Sequence, residues 1–145
     1  MRILVQRVAS AKVEVDGLAV GQIGRGLLAF FGVHKGDAPD QAPAMAGKLC
    51  NLRIFPDDNG KMNLSVKDVG GEVLVVSQFT LYGDCSRGRR PSFVDALGGD
   101  EAEKIYEHFA GGVKNEMGSV QTGRFGAEMQ VSLINDGPAT FLIEN

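Results

Sequence analysis

Cysteine and histidine are scarce in this sequence, with two of each among 145 residues. Cys50 and Cys85 stand far apart and show no metal-ligand spacing. Two thiols do not make a disulfide framework, so a reducing cytosol suits the chain. There is no Cys-x-x-Cys and no His-Glu-x-x-His, which removes the common zinc patterns. Asp57-Asp58-Asn59-Gly60 resembles the start of a calcium loop, but the remaining ligands are missing and it reads as a turn. No metal is therefore expected. The glycine-rich spots match neither a phosphate-binding loop nor a dinucleotide fingerprint. Positive charge is also short: 15 Lys and Arg stand against 18 Asp and Glu, for a net charge of −3. A nonspecific nucleic-acid binder usually shows a basic footprint, although a local basic patch on an acidic body fits this balance. Long apolar runs are absent. The longest, Leu27 to Val33 with Gly32 inside it, is far too short to cross a bilayer. The N-terminus begins with strand-like Arg2-Ile3-Leu4-Val5 rather than a signal-peptide pattern. The expectation is a soluble, cytoplasmic protein with no membrane contact. Its length suits a single domain over residues 1–145, able to bury about 68–70% of its unfolded surface.

What is present is alternation. Met1 to Val8 places Ile3, Val5 and Arg7 on one side and Leu4, Gln6 and Val8 on the other, and Ala11 to Val15 reads as a second strand. Asp16-Gly17 is a two-residue hairpin signal, with Leu18 to Ile23 as the return strand. Leu27 to Val33 reads as a central buried strand after the turn at Gly24 and Gly26. A helix is predicted from Asp40, as N-cap, to about Asn51, with Pro43 in its first turn and Met45, Leu49 and Leu52 at helical spacing. Arg53 to Phe55 is extended, Pro56 to Gly60 is a turn cluster, and Met62, Leu64 and Val66 alternate. The spacing of Ala102, Ile105, Tyr106, Phe109 and Val113 predicts a second helix over Asp100 to Val113, ending where Gly111-Gly112 frays it. His108 falls on the wet face of that helix, with Glu101, Glu103, Lys104 and Glu107. Val120 to Arg124 is extended, Met129, Val131 and Leu133 alternate, and Phe141 to Ile143 is the last strand. The fold class is α+β: a curved, mainly antiparallel, barrel-like sheet with two helices.

Three stretches break these patterns. Val73 to Val76 is an unbroken apolar run of the kind that suits a strand covered on both faces, yet it turns polar at Ser77 and Gln78 before Phe79 and Thr80. Polar side chains at an interior strand end need partners. They either satisfy nearby backbone groups or form the floor of a pocket. Arg87, Arg89 and Arg90 cluster in the long segment from Tyr82 to Gly99, and long ordered loops are often binding loops. The cluster is either a solvated loop or a phosphate clamp, for which the Arg fork is suited. Gly137-Pro138, between two strands and flanked by Asn135, Asp136 and Thr140, is either a plain turn or a unit whose bare carbonyls approach a small ligand.

Taken together, these residues resemble the D-aminoacyl-tRNA deacylase family. Ser77-Gln78-Phe79-Thr80-Leu81 matches its first signature and Asn135-Asp136-Gly137-Pro138-Ala139-Thr140 its second. Gln6-Arg7-Val8, Asn51 to Phe55, Lys61 to Val66, Gly88-Arg89-Arg90-Pro91-Ser92-Phe93 and Thr122-Gly123-Arg124-Phe125-Gly126 match as well, so the resemblance spans the chain. It implies a cofactor-free, homodimeric hydrolase that cleaves the ester joining a D-amino acid, or glycine mischarged on alanine tRNA, to the tRNA 3′ end. It implies catalysis at Ser77, Gln78, Phe79 and Thr80. It also implies substrate binding and chiral selection by Gly137, Pro138, Arg7, Phe125 and Met129. Gly137-Pro138 would be cis and reach into the partner's pocket, with Arg7 holding it. Arg87, Arg89 and Arg90 are candidate contacts to tRNA phosphates. An aminoacyl ester beside a vicinal hydroxyl is already activated, so positioning and an oxyanion hole can suffice. Thr80 is either a nucleophile, without a visible base, or a positioning group. A tRNA-binding module without catalysis and a Thr-dependent hydrolase of small D-amino esters are the readings from other classes. One geometric demand follows. A regular strand sends Ser77 and Phe79 one way and Gln78 and Thr80 the other, so the strand end must be irregular if all four serve one pocket.

Overall fold

The computed structural model describes all of residues 1–145. Its sheet is arranged around one long strand, β1 (Arg2–Val15). The sequence suggests two strands here, and the structure joins them. The apparent break falls where β1 changes partner. Arg2 to Val8 pair with β3 (Gly26–Gly32), and Ala11 to Val15 pair with β2 (Leu18–Ile23). The β1–β2 turn has positive φ at both Asp16 and Gly17, the backbone twist that a tight hairpin requires.

Two short strands, β4 (Phe55–Pro56) and β5 (Met62–Leu64), form a separate antiparallel pair. The main sheet runs β2-β1-β3-β6-β7, with β6 at Glu72–Ser77 and β7 at Gln121–Thr122, and β8 (Gln130–Glu144) lies along β1. The β1 ladders are antiparallel; β3–β6 and β6–β7 are parallel. The sheet curls until β2 nearly meets β7. A Cβ on Gly21 would lie 2.5 Å from the Thr122 carbonyl oxygen, so only glycine lets this nearly closed barrel draw together.

Both faces of the central strands are covered, as their unbroken apolar runs require. Val8, Ala11, Val13, Ile23, Leu28, Leu74 and Val76 fill the inside of the curl. Ile3, Val5, Leu27, Ala29, Phe31, Val73 and Val75 face outward into a larger core shared with the helices. There Phe31 stacks on Phe109 at a centroid distance of 4.2 Å, a pair worth about 0.5–1.5 kcal/mol beyond its buried area.

Helix α1 spans Ala42–Cys50 and α2 spans Gly99–Met117. Asp40 is not an N-cap: it lies inside a 3-10 turn, Pro39–Gln41, that Pro39 opens before α1 begins. Pro43 does occupy the first turn of α1, where a missing N–H costs nothing. Nor does Gly111-Gly112 end α2. The helix runs on to Met117 and stops at Gly118, whose φ is +79° and whose N–H bonds the Lys114 carbonyl at 2.8 Å. Gly112 has a packing reason instead. A Cβ there would lie 2.8 Å from the Ala46 Cβ and 3.2 Å from the Pro43 Cα, so the two helices cross on it.

The Gly137-Pro138 pair is also placed differently from its sequence pattern. It does not join two strands but lies within one, β8, whose register against β1 shifts around Val8. The shift lifts the Asp136–Ala139 backbone off a ladder that pairs Asn135 with Val8 and resumes at Thr140 opposite Gln6.

Candidate active site

β6 carries the first signature to the end of the sheet. Ser77 is its last residue, paired with Phe31, and the Gln78 N–H makes a closing bond to the Phe31 carbonyl at 2.8 Å. The chain then leaves strand geometry for a 3-10 turn, Phe79–Tyr82. Ser77, Gln78 and Phe79 can thus face one cleft, which a regular strand would not allow, while Thr80 stays outside it. The first N–H groups of such a turn have no partners inside it, and here they belong to Phe79 and Thr80. The Gln78 side-chain amide donates to the Thr80 hydroxyl.

Ser77, Gln78 and Phe79 line a cleft of about 550 Å³. Phe125 and Met129, from the segment between β7 and β8, form another wall, and Phe93 and Tyr106 complete it. Phe79 is 54% exposed and meets Phe93 edge-on at 5.1 Å. Tyr106 closes the back, its ring 5.6 Å from Phe125 and its hydroxyl donating to the Val75 carbonyl at 3.0 Å. Burial pushes the Tyr106 hydroxyl well above the ordinary phenol range, so it stays protonated as a donor. The sequence pattern assigned Tyr106 to the apolar stripe of α2. Only the fold shows that this stripe also backs a cleft. No lining residue is Asp, Glu, His, Lys or Cys, so apart from the Tyr106 phenol, which stays protonated, the cleft holds no side chain of the usual general-base types.

Thr80 is exposed beside the cleft rather than in its lining. Gly137, Pro138 and Arg7 do not line the cleft of their own chain either. They form a unit elsewhere, on β8 and β1. The Gly137-Pro138 bond is cis and both residues are exposed. Arg7 is buried; its Nε donates to the Asp136 carbonyl at 2.8 Å and pairs with the Asp136 carboxylate at 3.1 Å. Its guanidinium also bonds the Ile54 carbonyl and lies over the Phe55 ring, 5.9 Å from its centroid. From the other side Asn135 Nδ2 donates to the carbonyls of Arg7 and Ala139, at 3.2 and 3.1 Å. A Cβ on Gly137 would lie 2.2 Å from Asn135 Oδ1, so a side chain there would push the Asn135 amide out of the clamp.

The arginine cluster sits at the tip of an ordered loop. Asp84 and Ser92 bridge its base with two backbone bonds of 2.8 and 2.9 Å. The Asp84 carboxyl, held below its usual range by bonds from Ser86, fixes the first turn. Arg87, Arg89 and Arg90 are exposed, and no carboxylate pairs with them. His108 lies on the exposed face of α2, its ring bonded to the Lys104 carbonyl, away from the cleft.

Comparison with known proteins supplies the class. Residues 4–144 match the model of the D-Tyr-tRNA(Tyr) deacylase family. Over 145 residues the chain is 55% identical to the D-aminoacyl-tRNA deacylase of Thermosipho africanus and 54% identical to that of Clostridium acetobutylicum, covering 97% of each. Among solved structures it is similar to the c-Myc DNA unwinding element binding protein, with a TM-score of 0.93 and 38% identity over 100% of this chain and 99% of that one. A probable eukaryotic D-amino acid tRNA deacylase shares the fold, with a TM-score of 0.84 and 18% identity over 98% and 97% of the two chains. The class is therefore that of hydrolases acting on aminoacyl-tRNA. Within it, the chain belongs to the D-Tyr-tRNA(Tyr) deacylase family.

Proposed function

We propose that the chain hydrolyses the ester of D-aminoacyl-tRNA, and of glycine mischarged on alanine tRNA, by positioning rather than by a side-chain base. The observation that carries this reading is the make-up of the cleft: polar groups at Ser77 and Gln78, and no carboxylate, histidine, lysine or thiol. A base must then come from the substrate, and the ribose 2′-hydroxyl lies beside the ester. The N–H groups of Phe79 and Thr80, at the open start of their turn, supply the oxyanion hole. Aromatic and thioether surfaces at Phe125 and Met129 hold the substrate. Thr80, tethered to Gln78 outside the lining, positions and does not attack.

Chirality is assigned to the second signature, working in a homodimer. Gly137 and Pro138 are exposed, fixed from two sides by Arg7 and Asn135, and absent from their own cleft. A clamped backbone with nothing to serve in its own chain suits insertion into the partner's cleft. Fixed carbonyls there exclude an L side chain by occupying its place, and glycine passes because it has nothing to exclude. Arg87, Arg89 and Arg90 then contact tRNA phosphates, which position the RNA without reading its sequence. The chain then acts in the cytoplasm.

Deacylation of D-Tyr-, L-Tyr- and Gly-tRNA by the purified protein tests the whole reading. D-Tyr- and Gly-tRNA should be cleaved and L-Tyr-tRNA spared. Selective cleavage of the L-ester, or binding of tRNA without cleavage of any of the three, would overturn it.

A further inference from the structure

A second pocket, about 390 Å³ and polar, shares no residue with the cleft. Arg2, His34, Tyr82, Gly83, Asp84, Cys85 and Asp95 line it. The Arg2 guanidinium makes three contacts at once here. Nη1 donates to the Leu81 carbonyl at 2.9 Å, and Nε donates to the Glu144 carboxylate at 2.7 Å. The carbon at its centre lies 4.6 Å from the Tyr82 ring centroid. The same ring meets the His34 ring at a tilt, with centroids 5.3 Å apart.

Leu81 and Tyr82 are the second half of the turn whose first half is Phe79 and Thr80. Backbone bonds fix this turn unevenly. At its entry Gln78 is bonded to Phe31 in the sheet; after that, Leu81 N–H to the Gln78 carbonyl and Gly83 N–H to the Thr80 carbonyl are internal. The far end is tied to the sheet through Arg2. The register adds an independent sign. Arg2 pairs with Gly32 on β3, and a Cβ at Gly32 would lie 2.9 Å from the Gln78 carbonyl oxygen and 3.1 Å from the Leu81 Cβ. One rung of the β1–β3 ladder thus provides both the space in which the turn seats and the cation that holds it there.

We infer that Arg2 is a positioning residue: it holds the Leu81–Tyr82 end of the turn so that the Phe79 and Thr80 N–H groups keep their aim at the cleft. Glu144 holds the guanidinium in turn. The inference rests on the reading that this turn carries the oxyanion donors.

Arg2→Met keeps a long stem at a half-buried position and removes the donors of a partly solvated ion pair, so the melting temperature should change little. Misplacement of reacting groups by about 1 Å can cost about a hundredfold. The expected result is therefore a kcat on D-Tyr-tRNA lower by about tenfold or more, with KM within about twofold of wild type. Arg2→Lys, which keeps a cation over Tyr82 and one donor, should recover part of the loss. Gly32→Ala, which unseats the turn without touching Arg2, should lower kcat in the same way. An Arg2→Met enzyme with wild-type kcat would overturn the inference. So would a raised KM at unchanged kcat, which would make Arg2 a tRNA contact instead. If the wild-type protein itself leaves D-Tyr-tRNA intact, the functional reading fails; if wild type cleaves it and Arg2→Met does so equally well, only the role of Arg2 fails.

Discussion

Thr80 and Cys50 bear different chemical meanings that burial decides. Thr80 has the side chain of a nucleophile, but it stands outside the cleft lining with only the Gln78 amide as partner. Thr80→Ala should therefore keep substantial activity. Replacing the terminal ribose 2′-hydroxyl with hydrogen should cost roughly 10²–10³ in rate, the size of effect seen when one positioned group is lost. Single-turnover hydrolysis of matched D-Tyr-tRNA substrates measures both, and full activity on the 2′-deoxy substrate would remove the mechanism. Cys50 is fully buried at the end of α1, and burial pushes its thiol from 9.0 up to about 11. The unfolded chain gives up this proton first. Between those two values it binds fewer protons than the folded chain, so stability falls as pH rises. Urea midpoints collected from about pH 8 to about pH 11 should decline above pH 9, and more steeply in wild type than in Cys50→Ala. The phenols of half-buried Tyr82, pushed up to about 12, and of buried Tyr106 add a loss of the same sign at higher pH.

At the scale of the element, α2 shows how one glycine differs from the next. Gly111 has open space where a Cβ would go; Gly112 has α1. Gly111→Ala should raise stability by about 0.5–1 kcal/mol through helix propensity alone. Gly112→Ala gains the same propensity but overpacks the crossing at a cost of about 1–3 kcal/mol, so it should destabilise. Thermal melts of the two variants, moving in opposite directions, check this. The Arg87–Arg90 loop supplies the second prediction. Its base is closed by the Asp84–Ser92 bridge, so replacing the three tip arginines with Ala should leave the fold alone. The same change should weaken tRNA binding and flatten its salt dependence by a slope of about 2, as for three lost contacts to a single strand. Unchanged affinity and salt response would make the tip a solvated surface.

For the whole molecule, the decisive property is assembly. Leu142 and Ile134 are exposed on β8, and the Gly137-Pro138 unit lies between them. A two-fold contact through that region would be isologous and would present each unit to the other chain. Light scattering at micromolar concentration should report a dimer, and variants that dissociate it should lose activity together with L-rejection. A monomer that stays fully active would rule out a cleft completed by a partner.

Local pattern and short motifs settled a good deal of this protein by themselves. The Asp16-Gly17 hairpin, the doubly buried runs of β3 and β6, both helices and the two signatures are short-range features, and side-chain alternation or turn chemistry makes them readable. The resemblance built on those signatures held over residues 4–144. What the sequence misplaced depends on contacts between distant segments. The break in β1 is a change of partner, invisible from one strand. Gly112 continues a helix because α1 crosses it, and Gly137-Pro138 stays within β8 because Arg7 and Asn135 hold it there. Tyr106 became a cleft wall, and Arg2 a brace for the turn, through neighbours 31 and 79 residues away. Periodicity records which face of an element is apolar. It does not record what that face meets, and packing between remote segments decides that.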